Sequence, residues 1–313
     1  MKVFFLSAFF TVVLLGLLSA FISFCRYIRL LTALLVTLFV VACTKTLNEA
    51  PANVAALERS GMLNFLVIGD FGMDGQYEQK TVAKQMALFD KTDFVVTVGD
   101  NFYNNGVKSV GDSQWQTSFE NIYTASALQK DWFAVLGNHD YRGKPTAEIA
   151  YSQINPRWKM PARYYSVVKN LPEGGKARFL FIDTTPFVGG YYGDNDYREV
   201  IGQDTAAQWQ WLEQELANAT EDWKIVVGHH PVFSGGINHG DTPEMVARLQ
   251  PLLEQYGVQL YLSGHDHALQ HLHSSGNAAT VDYLVSGGGA KANGVAETPE
   301  LRFGKAEPGF LHL

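Results

Sequence analysis

Beyond residue 43 this 313-residue chain contains no cysteine; its two cysteines, Cys25 and Cys43, both sit in an apolar N-terminal stretch. That scarcity excludes a disulfide scaffold for the main body. It also excludes thiolate ligands there, so any metal has to be held by oxygen and nitrogen donors. Positive charge is thin as well. Lys and Arg number 24 against 31 Asp and Glu, giving a formal charge of −7. Without a basic stripe, a nucleic-acid backbone is excluded as the main partner. Internal repeats, low-complexity tracts and domain-splitting linkers are missing from the main body too. What is there is 47% hydrophobic and 18% charged, the balance of a globular protein long enough to bury a large core.

Long hydrophobic runs are confined to the N-terminus. Residues 3–24 are apolar or small throughout and long enough to span a bilayer. They are either a membrane helix or a stretch upstream of the true start. A basic patch, Arg26-Tyr27-Ile28-Arg29, precedes a second apolar run over 30–42 that fits a signal-peptide core. This run ends in Val40-Val41-Ala42-Cys43, similar to the lipobox of bacterial lipoproteins, whose cysteine is lipidated; the alternative is a plain signal cleavage site. The expected organisation is a membrane or signal segment over 1–43, a polar tether over 44–60 and a catalytic domain over 61–313. Such a protein is exported and held at a membrane by a helix or lipid anchor, as a periplasmic or cell-surface lipoprotein.

From Met62 onward strand, loop and helix alternate. Strands are expected over 63–68, 94–98, 132–136, 224–227, 259–262 and 283–286, with 164–168 and 178–182 as a hairpin across the Pro172-Glu173-Gly174-Gly175 turn. Helices are expected over 79–89, 115–123, 205–218 and 243–256. This is an α/β pattern with hairpins mixed in. Five of the strands end alike, in glycine followed by a carboxylate, amide or imidazole. They are Gly69-Asp70; Gly99-Asp100-Asn101 with Tyr103; Gly137-Asn138-His139-Asp140; Gly228-His229-His230; and Gly264-His265-Asp266-His267. Taken singly, each reads as turn chemistry or as an ordinary histidine. Taken together, loops at the carboxyl ends of α/β strands form the ligand crevice, so these side chains can converge, with His239 a further candidate.

Oxygen and imidazole donors without sulfur suit Fe, Mn, Zn, Ni or Mg. A neutral amide such as Asn138 limits the charge given to one ion, and a carboxylate between two ions can bridge them at about 3.5–4 Å. The glycines let the backbone turn sharply and approach closely. Tyr103 stands out, because a plain turn after Gly99-Asp100-Asn101 has no need of it.

In this order, GD (69–70), GDNFY (99–103), GNHD (137–140), GHHP (228–231) and GHDH (264–267) resemble the calcineurin-like metallophosphoesterases. The tyrosine narrows the resemblance to the purple acid phosphatases, in their small, tartrate-resistant type 5 subgroup. The likeness runs from about residue 65 to the end and takes in 147–165, 259–272 and 283–291. It implies a four-layer α/β sandwich: two mixed β-sheets packed together and flanked by helices. It also implies an acid phosphatase hydrolysing phosphate monoesters at a binuclear centre of Fe(III) and a divalent Fe, Zn or Mn ion. By the resemblance Fe(III) takes Asp70, Tyr103 and His267, Asp100 bridges, and the divalent ion takes Asn138, His229 and His265. Fe(III) is acidic enough to hold a tyrosine deprotonated far below its usual pKa of about 10.

The implied mechanism is in-line attack on phosphorus by a metal-activated hydroxide. His139 and His239 orient phosphate, one of them serves as general acid, and Asp140 holds His139. His230 and Asp266 fall to supporting or packing roles, and His271 and His273 to structural or surface ones. Expected partners are small phosphorylated substrates and phosphoproteins, with the protein a monomer. Two other readings remain open: a Mn- or Zn-dependent phosphodiesterase or nucleotide pyrophosphatase of the wider superfamily, and a non-catalytic metal- or phosphate-binding lipoprotein. The chain departs from the animal members of the subgroup in lacking their disulfide near the active site. Its loop over 185–192 is aromatic instead, which implies a different substrate preference. The last residues, 309–313, look like the start of a further strand, as in a fragment or a shortened form of the family.

Overall fold

Strands β1 (Phe65–Ile68) and β2 (Phe94–Thr97) are apolar or nearly so at every position, because both of their faces are covered. With β3 (Asp131–Ala134) and the short β4 (Trp158–Lys159) they pair in parallel and in sequence order. The free edge of β1 is taken by β12 (Leu311–His312), running antiparallel. The computed structural model describes residues 61–274 and 281–313, which fall within one compact unit, Asn53–Leu313. The membrane, signal and tether segments expected over 1–60 lie outside the described residues. No helix among the described residues is long and apolar enough to cross a membrane.

The second sheet holds β5 (Tyr165–Asn170), β6 (Lys176–Phe181), β7 (Trp223–Val227), β8 (Leu260–Ser263), β9 (Leu269–His273), β10 (Asp282–Ser286) and β11 (Leu301–Lys305). Its order is β11-β9-β10-β8-β7-β6-β5. Strands β6, β7, β8 and β10 run parallel, while β5, β9 and β11 pair antiparallel. The hairpin expected from the Pro172–Gly175 turn is the β5–β6 pair.

The two mixed sheets pack face to face. Phe65 and Phe94 of the first meet Phe179 of the second edge-on, at ring separations of 5.4 and 5.5 Å. Phe133, Phe181, Ile225, Val227 and Leu262 extend that apolar layer. Each such side chain contributes about 1.5–3 kcal/mol through burial. Outside the second sheet, Leu180, Val226, Tyr261 and Tyr283 are covered by α3 (Thr205–Asn218) through Trp209, Leu212 and Leu216. On the first sheet's outer side lie Val82 and Met86 of α1 (Gln79–Met86), the aromatic residues of a π-helical turn (Trp115–Glu120), and α2 (Pro145–Tyr151). The result is the expected sandwich of two mixed sheets flanked by helices.

Some elements differ from expectation for identifiable reasons. The helix expected over 243–256 is a π-helical turn (Met245–Leu249) running into α4 (Gln250–Gln255), and Pro251 removes a backbone donor at that junction. Strand β9 carries polar residues on both faces, and β11 is a half-exposed edge strand, so neither shows the apolar run of the other strands.

Candidate metal centre

Each of the five glycine-marked strand ends opens toward one place. Only glycine allows the approach at two of them. At Gly99, held at φ +89°, a Cβ would lie 2.7 Å from His229 Nδ1, and at Gly137 it would lie 2.2 Å from Asp100 Oδ1. Three of the donors themselves adopt left-handed backbone angles: Asp70 at φ 56°, Asp100 at 50° and His265 at 69°. Such angles cost a non-glycine residue about 1–2 kcal/mol each and persist where surrounding structure enforces them.

On one side the site is built of oxygen. The Tyr103 hydroxyl lies 2.9 Å from Asp70 Oδ1, 2.6 Å from Asp100 Oδ2 and 3.1 Å from His267 Nε2. The phenol hydroxyl thus sits among two carboxylates and an imidazole nitrogen. The far oxygen of each carboxylate is tied to backbone: His265 N donates to Asp70 Oδ2 at 3.0 Å, and His139 N to Asp100 Oδ1 at 2.7 Å. Asp100 stands between the two halves of the site, because its Oδ1 is also 3.5 Å from His229 Nε2.

On the other side imidazoles gather around an amide. His229 donates from Nδ1 to the Val98 carbonyl 2.8 Å away, which turns Nε2 toward the centre; burial lowers the ring, but the Asp100 and Asp70 carboxylates outweigh it and raise it above its ordinary value. His229 Nε2 faces Asn138 Oδ1 at 3.0 Å and His265 Nδ1 at 3.2 Å, and His265 Nδ1 is 2.9 Å from the same amide oxygen. The Asn138 amide is oriented by its Nδ2, which points at the Tyr197 hydroxyl, 3.4 Å away. Two ring nitrogens and an amide oxygen at these distances have to share protons or a cation. Asp70, Asp100 and His229 each place a ligand atom within 4.8 Å of the other two, as do His229, His230 and His265. The donor set therefore fits the cations the sequence implies.

Electrostatics point the same way. Burial and the Asp100 and Asp70 carboxylates push the Tyr103 phenol well above its ordinary range. Only a strongly charged cation between them can turn this phenol into a phenolate. Burial on its own would raise Asp100, yet the His229 and His139 charges and the Tyr103 hydroxyl bring it below the usual carboxylate range. Burial together with its neighbouring imidazoles, His230 foremost, drives His265 well down, leaving it a neutral donor.

Other sequence-picked residues take different places. The His139 ring lies beside Tyr103, its Nδ1 2.6 Å from the Asn104 carbonyl and its Nε2 3.9 Å from Asp100. Asp140, expected to hold His139, does not touch that ring. Its carboxylate accepts from Gly137 N at 2.8 Å, Asn101 N at 3.0 Å and Phe102 N at 3.1 Å, tying two strand-end loops together. Burial and Asp100 raise it to about 7. Asn101 turns away from the centre: its amide accepts from Thr97 and donates to Val135 O and Glu148.

Both ring nitrogens of His230 are occupied by hydroxyls, Thr184 at 2.8 Å and Tyr191 at 2.9 Å, which removes it from the ligand set. The exposed His239 ring lies tilted against that of His265, 4.0 Å between ring centres. Asp266 holds the His239 loop, accepting from Ser234 Oγ, Gly240 N and His239 N. His271 and His273 lie elsewhere, on β9. The sequence reading missed Tyr197 and Arg142; the Arg142 guanidinium donates to the Tyr197 hydroxyl from Nε, 2.9 Å away, and from Nη2.

Comparison with known proteins places this geometry in context. The calcineurin-like phosphoesterase family model matches residues 63–269. Purple acid phosphatase 17 of Arabidopsis thaliana is 40% identical over 286 residues, 86% of this chain and 82% of that one. Human tartrate-resistant acid phosphatase type 5 is 34% identical over 241 residues, 72% of this chain and 73% of the other. Among solved structures, GAP50, the anchor in the inner membrane complex of Plasmodium, superposes with a TM-score of 0.70 at 27% identity, over 81% of each chain.

Proposed function

On the premise that the chain belongs to the calcineurin-like phosphoesterase family, in its purple acid phosphatase branch, we propose that it works through an Fe(III) ion paired with a divalent iron, zinc or manganese ion. The chain is a phosphoric monoester hydrolase of the acid phosphatase type. In the proposed arrangement Asp70, Tyr103 and His267 hold the ferric ion, Asn138, His229 and His265 the divalent one, and Asp100 both. The observation that carries this is the convergence of His229 Nε2, Asn138 Oδ1 and His265 Nδ1 within 3.2 Å of one another, matched by two carboxylates and the His267 imidazole around the Tyr103 hydroxyl. When bound, such a pair supplies Lewis acidity to the phosphoryl group and activates the attacking water.

The remaining chemistry belongs to the chain. His139, held by the Asn104 carbonyl through Nδ1, keeps Nε2 on the Asp100 side, where it can orient a phosphoryl oxygen. His239, on the solvent side of His265, is placed to hand a ring proton to the leaving oxygen. Tyr191 and Tyr197, their rings tilted against one another at 4.4 Å, wall the side of the site nearest His230 and Asn138. The same reading takes small phosphorylated molecules and phosphoproteins as substrates of an exported, membrane-held monomer.

The likeness to the Plasmodium anchor favours a second reading, a non-catalytic scaffold. The filled set of seven donors and two outer histidines weighs against it. Metal analysis and the visible spectrum of protein purified without chelator test the proposal, together with turnover of p-nitrophenyl phosphate. A purple charge-transfer band lost in Tyr103→Phe, and turnover lost in His229→Ala, are expected. A colourless protein active with manganese or zinc would favour the wider superfamily, and intact turnover in His229→Ala would remove the metal-centre assignment.

A further inference from the structure

On strand β9 the side chains of His271 and His273, two residues apart, lie on one face of the second sheet. Register places Asp282 of β10 directly across from His273, and Leu284 across from His271, so the carboxylate shares that face. Asp282 Oδ1 lies 2.8 Å from His271 Nε2 and 3.3 Å from His273 Nδ1. The three side chains are 33%, 27% and 43% exposed, open to an ion from solvent yet seated on backbone fixed on both sides by β10 and β11. None of them takes part in the proposed catalytic centre. His271 is four residues beyond His267, which lies in the loop before β9.

We propose that His271, His273 and Asp282 form a further binding site for a divalent transition-metal ion of the imidazole-accepting kind, such as zinc, nickel or copper. Two imidazoles and a carboxylate with room for water make an open, borderline-hard donor set that calcium and magnesium do not favour. At metal–ligand distances of about 2.0–2.2 Å, the ligand-to-ligand edge of a tetrahedron is about 3.3 Å. The His273–Asp282 separation of 3.3 Å already matches that edge, while the His271–Asp282 contact of 2.8 Å is of hydrogen-bond length and has to lengthen. The two nitrogens beside Asp282 stand more than 4.8 Å apart, so an ion has to draw the rings together by rotation, which half-exposed side chains allow. A bound ion would pin the far end of the β9–β10 hairpin.

The test uses the full chain with its catalytic centre loaded. Zinc is titrated against a chromophoric chelator, on wild type, Asp282→Asn and the double variant His271→Ala/His273→Ala. The wild type should take up one equivalent more than the double variant, and Asp282→Asn should bind that equivalent at least about tenfold more weakly. Phosphatase turnover should be unchanged in all three, which also reports that the variants fold. Equal stoichiometry and affinity in wild type and variants overturn the site. So does a copper electron-paramagnetic-resonance spectrum of the loaded wild type without nitrogen coupling.

Discussion

The first sheet brings oxygen to the centre and the second brings nitrogen. Asp70, Asp100, Tyr103 and Asn138 follow β1, β2 and β3, whereas His229, His265, His267 and His239 follow β7 and β8 or the loops beyond them. Neither sheet alone collects a full set of donors. The proposed ions do not divide along the same line, since each draws oxygen from one sheet and imidazole from the other. The site is thus a seam across the sandwich, and its integrity depends on how the two sheets are set against one another.

The largest test of that seam is Asp100→Asn, which alters the one side chain facing both halves. Loss of several kcal/mol of transition-state stabilisation predicts a fall in turnover of about a thousandfold or more, with both ions depleted on metal analysis. Loss of only one ion would mean that Asp100 serves one half. Next is His265→Ala, which removes nitrogen and leaves the oxygen side intact. Turnover should fall about a hundredfold, with one equivalent of metal retained per chain; if both ions leave together, oxygen and nitrogen halves act as a single unit.

Smaller is Tyr197→Phe, which deletes the hydroxyl that orients the Asn138 amide. Removing an orienting contact of this kind weakens metal affinity by about tenfold. Chelator competition should show that loss for the divalent ion and leave the ferric one alone. Equal loss at both would place Tyr197 in general support of the fold.

Outside turnover and metal affinity, a seam contact that needs no metal bears on stability instead. Asp183, at the end of β6, accepts from Tyr141 at 2.5 Å and pairs with Arg163 at 3.3 Å. Burial pushes Asp183 up to about 6 even though Arg163 and Tyr141 pull it down. Its folded-state value lies above the unfolded value of about 3.9, so its contribution to stability is full below about pH 4 and lost as pH rises through about 6. The span corresponds to about 3 kcal/mol. Denaturation of wild type at pH 4 and pH 7 should show part of that decline, and Asp183→Asn should flatten it. An unchanged slope in the variant would assign the pH dependence to other buried acids such as Glu148, which burial and Asp140 also raise.

Much of this was legible in the sequence because glycine and polar strand ends are local features. A strand buried on both faces shows itself as an apolar run, and a glycine before a donor marks a turn toward the crevice. Partnerships set by the chain's path were not legible. Asp140 adjoins His139 in sequence, yet the turn aims its carboxylate at Gly137 and Asn101. Asn101 sits in a donor motif and is drawn inward by Thr97 and Val135. Tyr197 reaches Asn138 across 59 residues, from a loop whose tyrosines carried no signal of which would face the site. Strand β9, with Gln270 and two histidines, has no periodicity that separates it from a loop.

The left-handed angles at Asp70, Asp100 and His265 place fitness for catalysis and fitness for endurance in opposition. At each position glycine would relax the backbone by about 1 kcal/mol and remove a donor. A library screened for heat tolerance alone should drift toward glycine at these three sites, ending hardier and inert. A library screened for turnover should hold all three residues and find its stabilising changes elsewhere, on the helices that cover the outer faces of the sheets.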